Sequence, residues 1–113
     1  MIKRGDVFLA KLGPAQGSEA DCERAVVVMS RDAINKNSRV VVVVPVLNRE
    51  NRKTIYPSQV VLKAGEGGLT AESVALGERV RTINTARLTK QLGHLAPHSV
   101  TAIGAALKIA LDL

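Results

Sequence analysis

Val40-Val41-Val42-Val43-Val44-Pro45-Val46 is the stretch on which the fold turns. Five consecutive valines are β-branched and favour extended backbone. The run is too uniform for a strand with one wet face, so both faces are expected to be covered. It falls far short of the ~20 apolar residues that a membrane-spanning helix needs. Pro45 has no N–H to give to a ladder and is expected to weaken pairing near the strand end.

Shorter strands flank this run. Residues 7–12 and 25–29 read as strands, separated by a loop of about ten residues that carries the breakers Gly13, Pro14, Gly17 and Ser18. Between 30 and 38 the polar, turn-prone sequence has room for one helical turn. Residues 48–54 form a charged loop. Residues 59–62 and 73–83 read as further strands, separated by Gly65, Gly67 and Gly68. The C-terminal segment changes period. Val100, Ile103, Leu107 and then Ala110 or Leu111 recur at helical spacing, with Pro97 suited to the first turn. The expected architecture is mainly β with a C-terminal helix, a small antiparallel barrel or twisted sheet with the helix laid on it.

Composition narrows the function. The chain has 113 residues, read as a single domain spanning 1–113. Sixteen Lys and Arg against ten Asp and Glu give +6, which favours an anionic partner. A hydrophobic content of 46% excludes a disordered basic tail. The single cysteine, Cys22, excludes an internal disulfide framework and a multi-cysteine zinc site. Phe8 and Tyr56 are the only aromatics, too few for a base-stacking platform. The apolar stretch after Met1 is short and broken by Lys11, unlike a signal peptide. A soluble cytoplasmic protein that contacts no membrane is therefore expected.

Arginine dominates the candidate chemistry. Arg24, Arg31, Lys36, Arg39, Arg49, Arg52 and Lys53 are offset locally only by Asp32 and Glu50. Arg79 and Arg81, two apart, are expected on one strand face, a donor array suited to phosphate oxygens. A solvated basic surface explains the same charge. His94 and His98 have helical metal spacing, but Pro97 intervenes and no carboxylate is adjacent, so surface or cap roles are expected and no metal. Cys22 lies between Asp21 and Glu23, which disfavours its thiolate. Gly65-Glu66-Gly67-Gly68 lacks the lysine and following helix of a phosphate loop.

Four blocks together resemble the MazF/PemK family of toxin endoribonucleases. They are Arg4-Gly5-Asp6-Val7-Phe8-Leu9; Gly17-Ser18-Glu19 followed by Arg24-Ala25-Val26-Val27-Val28; Val42-Val43-Val44-Pro45-Val46; and Glu78-Arg79-Val80-Arg81-Thr82-Ile83 with Ala86-Arg87-Leu88. The resemblance covers nearly the whole chain, in order. It implies a small barrel-like sheet of the SH3-like kind shared with the gyrase toxin CcdB, and a homodimer whose RNA groove crosses the interface. It also implies a cognate antitoxin whose acidic disordered tail lies in that groove. The implied reaction is sequence-specific, metal-independent and ribosome-independent cleavage of single-stranded RNA, without a cofactor, by attack of the ribose 2′-OH.

The resemblance also implies roles. Arg24 matches the catalytic arginine and Glu78 an acidic position linked to proton transfer. A guanidinium stays protonated, so charge stabilisation suits Arg24 and proton uptake suits the carboxylate. Ser18 and Glu19 match the loop bordering the groove. Arg79, in place of a glutamine, and Arg81 match substrate-contacting positions, and Asn48 and Arg49 follow the strand end. One position departs: Leu47 stands where a threonine or serine is usual. Asn48 taking the role after a one-residue shift, another hydroxyl such as Ser18 serving, and a weakened or engineered inactive form are the readings open at this point. Cys22 and Ala25 also stand where glycine and proline are common. A CcdB-like toxin acting on gyrase and a non-catalytic member binding RNA or antitoxin are the alternatives.

Overall fold

The computed structural model describes residues 1–13, 23–50 and 52–113. The expected loop contacts of Ser18 and Glu19, and Cys22 with them, lie outside the described residues.

Among the described residues, seven strands and two α-helices follow in chain order: β1 (Asp6–Lys11), β2 (Glu23–Val28), α1 (Asp32–Asn37), β3 (Val40–Asn48), β4 (Gln59–Leu62), β5 (Ser73–Leu76), β6 (Arg81–Asn84), β7 (Leu88–His94) and α2 (Pro97–Leu111). All pairings are antiparallel, in the order β4-β5-β3-β2-β1-β7, with β6 also on β3. The mainly β architecture with a C-terminal helix is as expected. The sheet is twisted and not closed into a barrel: β4 and β7 end the ladder without pairing each other.

The valine run does what its uniformity demands. Val44 and Val46 face one apolar cluster with Val7, Val27, Leu62, Leu95 and Ile103. Val41 and Val43 face another with Ala10, Val26, Val28 and Ile83. Burying a large apolar side chain contributes ~1.5–3 kcal/mol, so a strand buried on both faces anchors the sheet. Pro45 does not end the strand, which runs on to Asn48. It lies in the gap between the β6 partners of residues 40–43 and the β5 partners of 46–48, where a missing N–H is tolerated.

Two expectations need correction. The strand expected over 73–83 is two strands, β5 and β6, separated by a 3₁₀ turn at Gly77–Arg79. Gly77 gives its N–H to Ser58 O at 2.9 Å, and a Cβ there would lie 2.5 Å from that oxygen. The chain therefore leaves β5 at Gly77, and Arg79 and Arg81 do not share a strand face by alternation. The second correction is β7, which mixed polar and apolar residues hid. It pairs with β1 through two register shifts.

α2 starts at Pro97 and buries Ser99, Ile103 and Ala106, with Val100 and Leu107 packed on the same cluster. Arg4 Nη1 donates to Met29 O at 2.7 Å, tying the N-terminus to the end of β2. No helix among the described residues is long and apolar enough to cross a membrane.

Candidate active site

Arg24 is placed by strand pairing. It lies opposite Ala10 on β1, one residue before the Ala25–Val46 pair that joins β2 to β3. It shares a face with Val26 and Val28, whose burial fixes the strand, and is itself half-buried. Beyond it the strand end opens into a cleft of about 480 Å³. Glu23, Arg24, Leu47, Asn48, Glu50 and Arg52 line it. A second hollow of about 370 Å³ shares Asn48, Glu50 and Arg52 and adds Arg49, Lys53 and Glu72.

The resemblance-based set divides accordingly. Arg24, Asn48 and Arg49 lie on these two hollows. Arg49 is partly occupied: its Nη1 is 3.4 Å from Glu72 Oε1 and its backbone N–H donates to Glu72 O at 2.9 Å. Such a half-exposed pair contributes little to stability but sets the direction of the guanidinium. Leu47 lies in the cleft itself, paired with Val74 on β5, and brings no donor or acceptor.

Glu78 and Arg79 are exposed in the 3₁₀ turn after β5 and line neither hollow. The Glu78 carboxylate accepts from Ser58 Oγ at 3.0 Å and from Gln59 Nε2 at 2.8 Å. Desolvation pushes its pKa up. Hydrogen bonds from Gln59, its own backbone N–H and Ser58, with the Arg79 charge, outweigh that and hold the carboxyl below its ordinary value. Arg81, exposed at the start of β6, directs Nη1 to Leu12 O at 3.4 Å.

Glu23 joins the cleft without having been singled out, and Glu50 and Arg52, named only as part of the charged cluster, join it too. The signal was present for Glu23, the immediate neighbour of Arg24. Its carboxylate meets the Thr89 hydroxyl of β7, and that pairing depends on a strand the periodicity did not reveal. His94 Nδ1 lies 2.7 Å from the buried Asp6 carboxylate, a β1–β7 tie, while His98 is exposed on α2. Among the described residues no group of three His, Cys, Asp or Glu side chains is placed to hold a metal ion.

What this arrangement can do follows from its chemistry. A guanidinium presents a planar fork of N–H donors that matches phosphate oxygens. A carboxylate lining the same cleft can take a proton, and the Asn48 carboxamide offers both a donor and an acceptor.

Comparison with known proteins identifies the family and the fold. A family model described as PemK-like, MazF-like toxin of type II toxin-antitoxin system matches residues 3–111. The chain is 37% identical over 118 aligned positions to Endoribonuclease MazF9 of Mycobacterium tuberculosis, covering 100% of this chain and 98% of that protein. Among solved structures, an endoribonuclease in complex with its cognate antitoxin from a mycobacterial species superposes with a TM-score of 0.81 at 26% identity, covering 100% and 97% of the two chains. MazF from Deinococcus radiodurans shares the fold, with a TM-score of 0.79 at 23% identity over 99% and 97%.

Proposed function

The chain belongs to the PemK-like, MazF-like family of type II toxin–antitoxin toxins, and from that premise we propose that it is a toxin endoribonuclease cutting single-stranded RNA. The observation that carries the reading is Arg24, half-buried at a strand end and facing a cleft with a carboxylate and a carboxamide.

The reaction needs no metal. The RNA ribose 2′-oxygen attacks the adjacent phosphorus while the bond to the 5′-oxygen breaks. The 2′-OH proton passes to a carboxylate, and the departing 5′-oxygen takes a proton from water, to which the carboxylic acid afterwards returns its own. The products are a 2′,3′-cyclic phosphate and a 5′-OH. Arg24 holds the non-bridging oxygens and stabilises the charge that grows on them. Glu23, which accepts from Thr89, lines the cleft with Arg24, whereas Glu78 lines neither hollow, and this supports Glu23 as the proton acceptor. Asn48 supplies the polar group that Leu47 lacks. Arg49, Arg52 and Lys53 extend the track for the RNA backbone, with Arg79 and Arg81 as outlying substrate contacts; Ser18 and Glu19 are added on the resemblance alone.

The similarity to an endoribonuclease bound to its cognate antitoxin supports an antitoxin partner, whose acidic tail would compete with RNA for the same cations. A homodimer is supported by the apolar end of α2, where Ile109, Leu111 and Leu113 are 57%, 52% and 85% exposed. An RNA-cutting toxin acts where its transcripts are, in the cytoplasm. Endoribonuclease relatives favour this reading over the gyrase alternative.

The test is digestion of a long unstructured RNA in the presence of a chelator, with mapping of the new ends. Cuts at one short sequence leaving 5′-OH ends are expected. Intact RNA across a broad sequence panel would refute the reading.

A further inference from the structure

We propose that Arg87 and Thr89 are positioning residues that set the last rung between β1 and β2, and through it Glu23 and Arg24. This rests on the ribonuclease reading of the cleft. Half-buried Arg87 directs Nη1 to Lys11 O at 3.1 Å and to Gly13 O. Arg81 takes the intervening carbonyl, Leu12 O. Three successive carbonyls at the outgoing end of β1 are thus held by guanidinium groups from the β6–β7 region. Thr89 Oγ1 lies 3.2 Å from Leu9 O and also meets the Glu23 carboxylate, at the returning end of β2.

The rung needs such help. A two-residue turn fixes hairpin register by its own geometry, whereas here residues 12–22 separate Lys11 from Glu23. Lys11 faces Glu23, and Ala10 faces Arg24 on the next rung. The Arg87 contacts therefore act on the backbone beside the residues that meet the phosphate. A guanidinium is charged at every working pH, and its bonds to carbonyls are stronger than neutral ones. Arg87 touches neither hollow, so it acts through Lys11 and Gly13 rather than on RNA.

Arg87→Ala, Arg87→Lys and Thr89→Val are compared with the parent in two ways: steady-state cleavage of a mapped RNA site, and amide hydrogen exchange. A small displacement of a catalytic group costs up to roughly 10²-fold. Arg87→Ala is expected to lower kcat by about 10- to 100-fold with KM changed less than about threefold. Arg87→Lys, which keeps a cationic donor, regains part of that loss. Thr89→Val lowers kcat in the same sense. Exchange rises at residues 10–11 and 23–24 while β3 and β5 stay protected. Unchanged kcat with unchanged exchange at those rungs overturns the proposal, as does exchange that rises equally across β3 and β5. Should the parent cut no RNA, the ribonuclease reading fails separately. Faster exchange at the rung in Arg87→Ala then still supports the clamp, and unchanged exchange overturns it.

Discussion

Leu47 lines the same cleft as Arg24, from the neighbouring strand, and its isobutyl side chain brings that cleft no hydrogen-bond donor or acceptor. In the proposed reaction, a side chain there that could donate a hydrogen bond would reach the oxygens assigned to Arg24. One transition-state donor is commonly worth roughly 10²- to 10³-fold in rate. Leu47→Thr is therefore expected to raise kcat by about tenfold or more on a mapped RNA site. Leu47 is half-buried opposite Val74, so the swap should cost little stability. Unchanged kcat in a folded variant would show that position 47 does not face the reacting phosphate.

Asn48 is the polar group at that strand end, and it lines both hollows. Asn48→Ala should lower kcat by about 10²-fold with thermal stability nearly unchanged, because the side chain is exposed. A loss confined to KM would mark Asn48 as a ground-state contact only.

The two carboxylates separate by their partners. Glu23→Gln should cut the rate by roughly 10²-fold or more, while Glu78→Gln should cost less than about tenfold. The reverse order would return proton transfer to Glu78. Glu78 also predicts an acid response. Its carboxyl is held below the ordinary value of 4.5 in the folded chain. The unfolded chain therefore binds the proton more readily, and the stabilisation is fully present above pH 4.5 and fades as pH falls through the lower folded value. Urea midpoints followed downward from pH 5 should fall less steeply in Glu78→Gln than in the parent. The effect is small because the carboxylate is largely exposed.

Gly68 tests the packing that hides β7. Its φ is +79°, and a Cβ would lie 2.1 Å from Leu92 O. Gly68→Ala must push the short 3₁₀ turn at Glu66–Gly68 away from β7, at a cost of about 3 kcal/mol or more. The equilibrium unfolding midpoint measures it. A midpoint equal to that of the parent would mean that the turn does not pack on β7 as described.

How much of this was legible in the sequence depended on period. The valine run announced β3 because its apolar residues needed cover on both faces, and α2 announced itself through Val100, Ile103 and Leu107. β7 was not legible: Thr89, Lys90 and Gln91 are exposed on an end strand, and nothing in their pattern separates strand from loop. The break at Gly77 was equally hidden, since it depends on the distant carbonyl of Ser58. Arg24 and Asn48 could be named from a resemblance, but not every companion in the cleft could. Glu23 and Arg52 join it through pairing between β2 and β3 and through the path of the chain after Asn48, and those are tertiary facts.

The most direct measurement is the single-turnover cleavage rate of Arg24→Ala against the parent on one mapped RNA site, with circular dichroism confirming that both are folded. A loss of roughly 10³-fold or more is expected, because in the proposed reaction Arg24 is the principal stabiliser of the developing phosphate charge. A folded Arg24→Ala protein cutting within about tenfold of the parent rate would contradict the account.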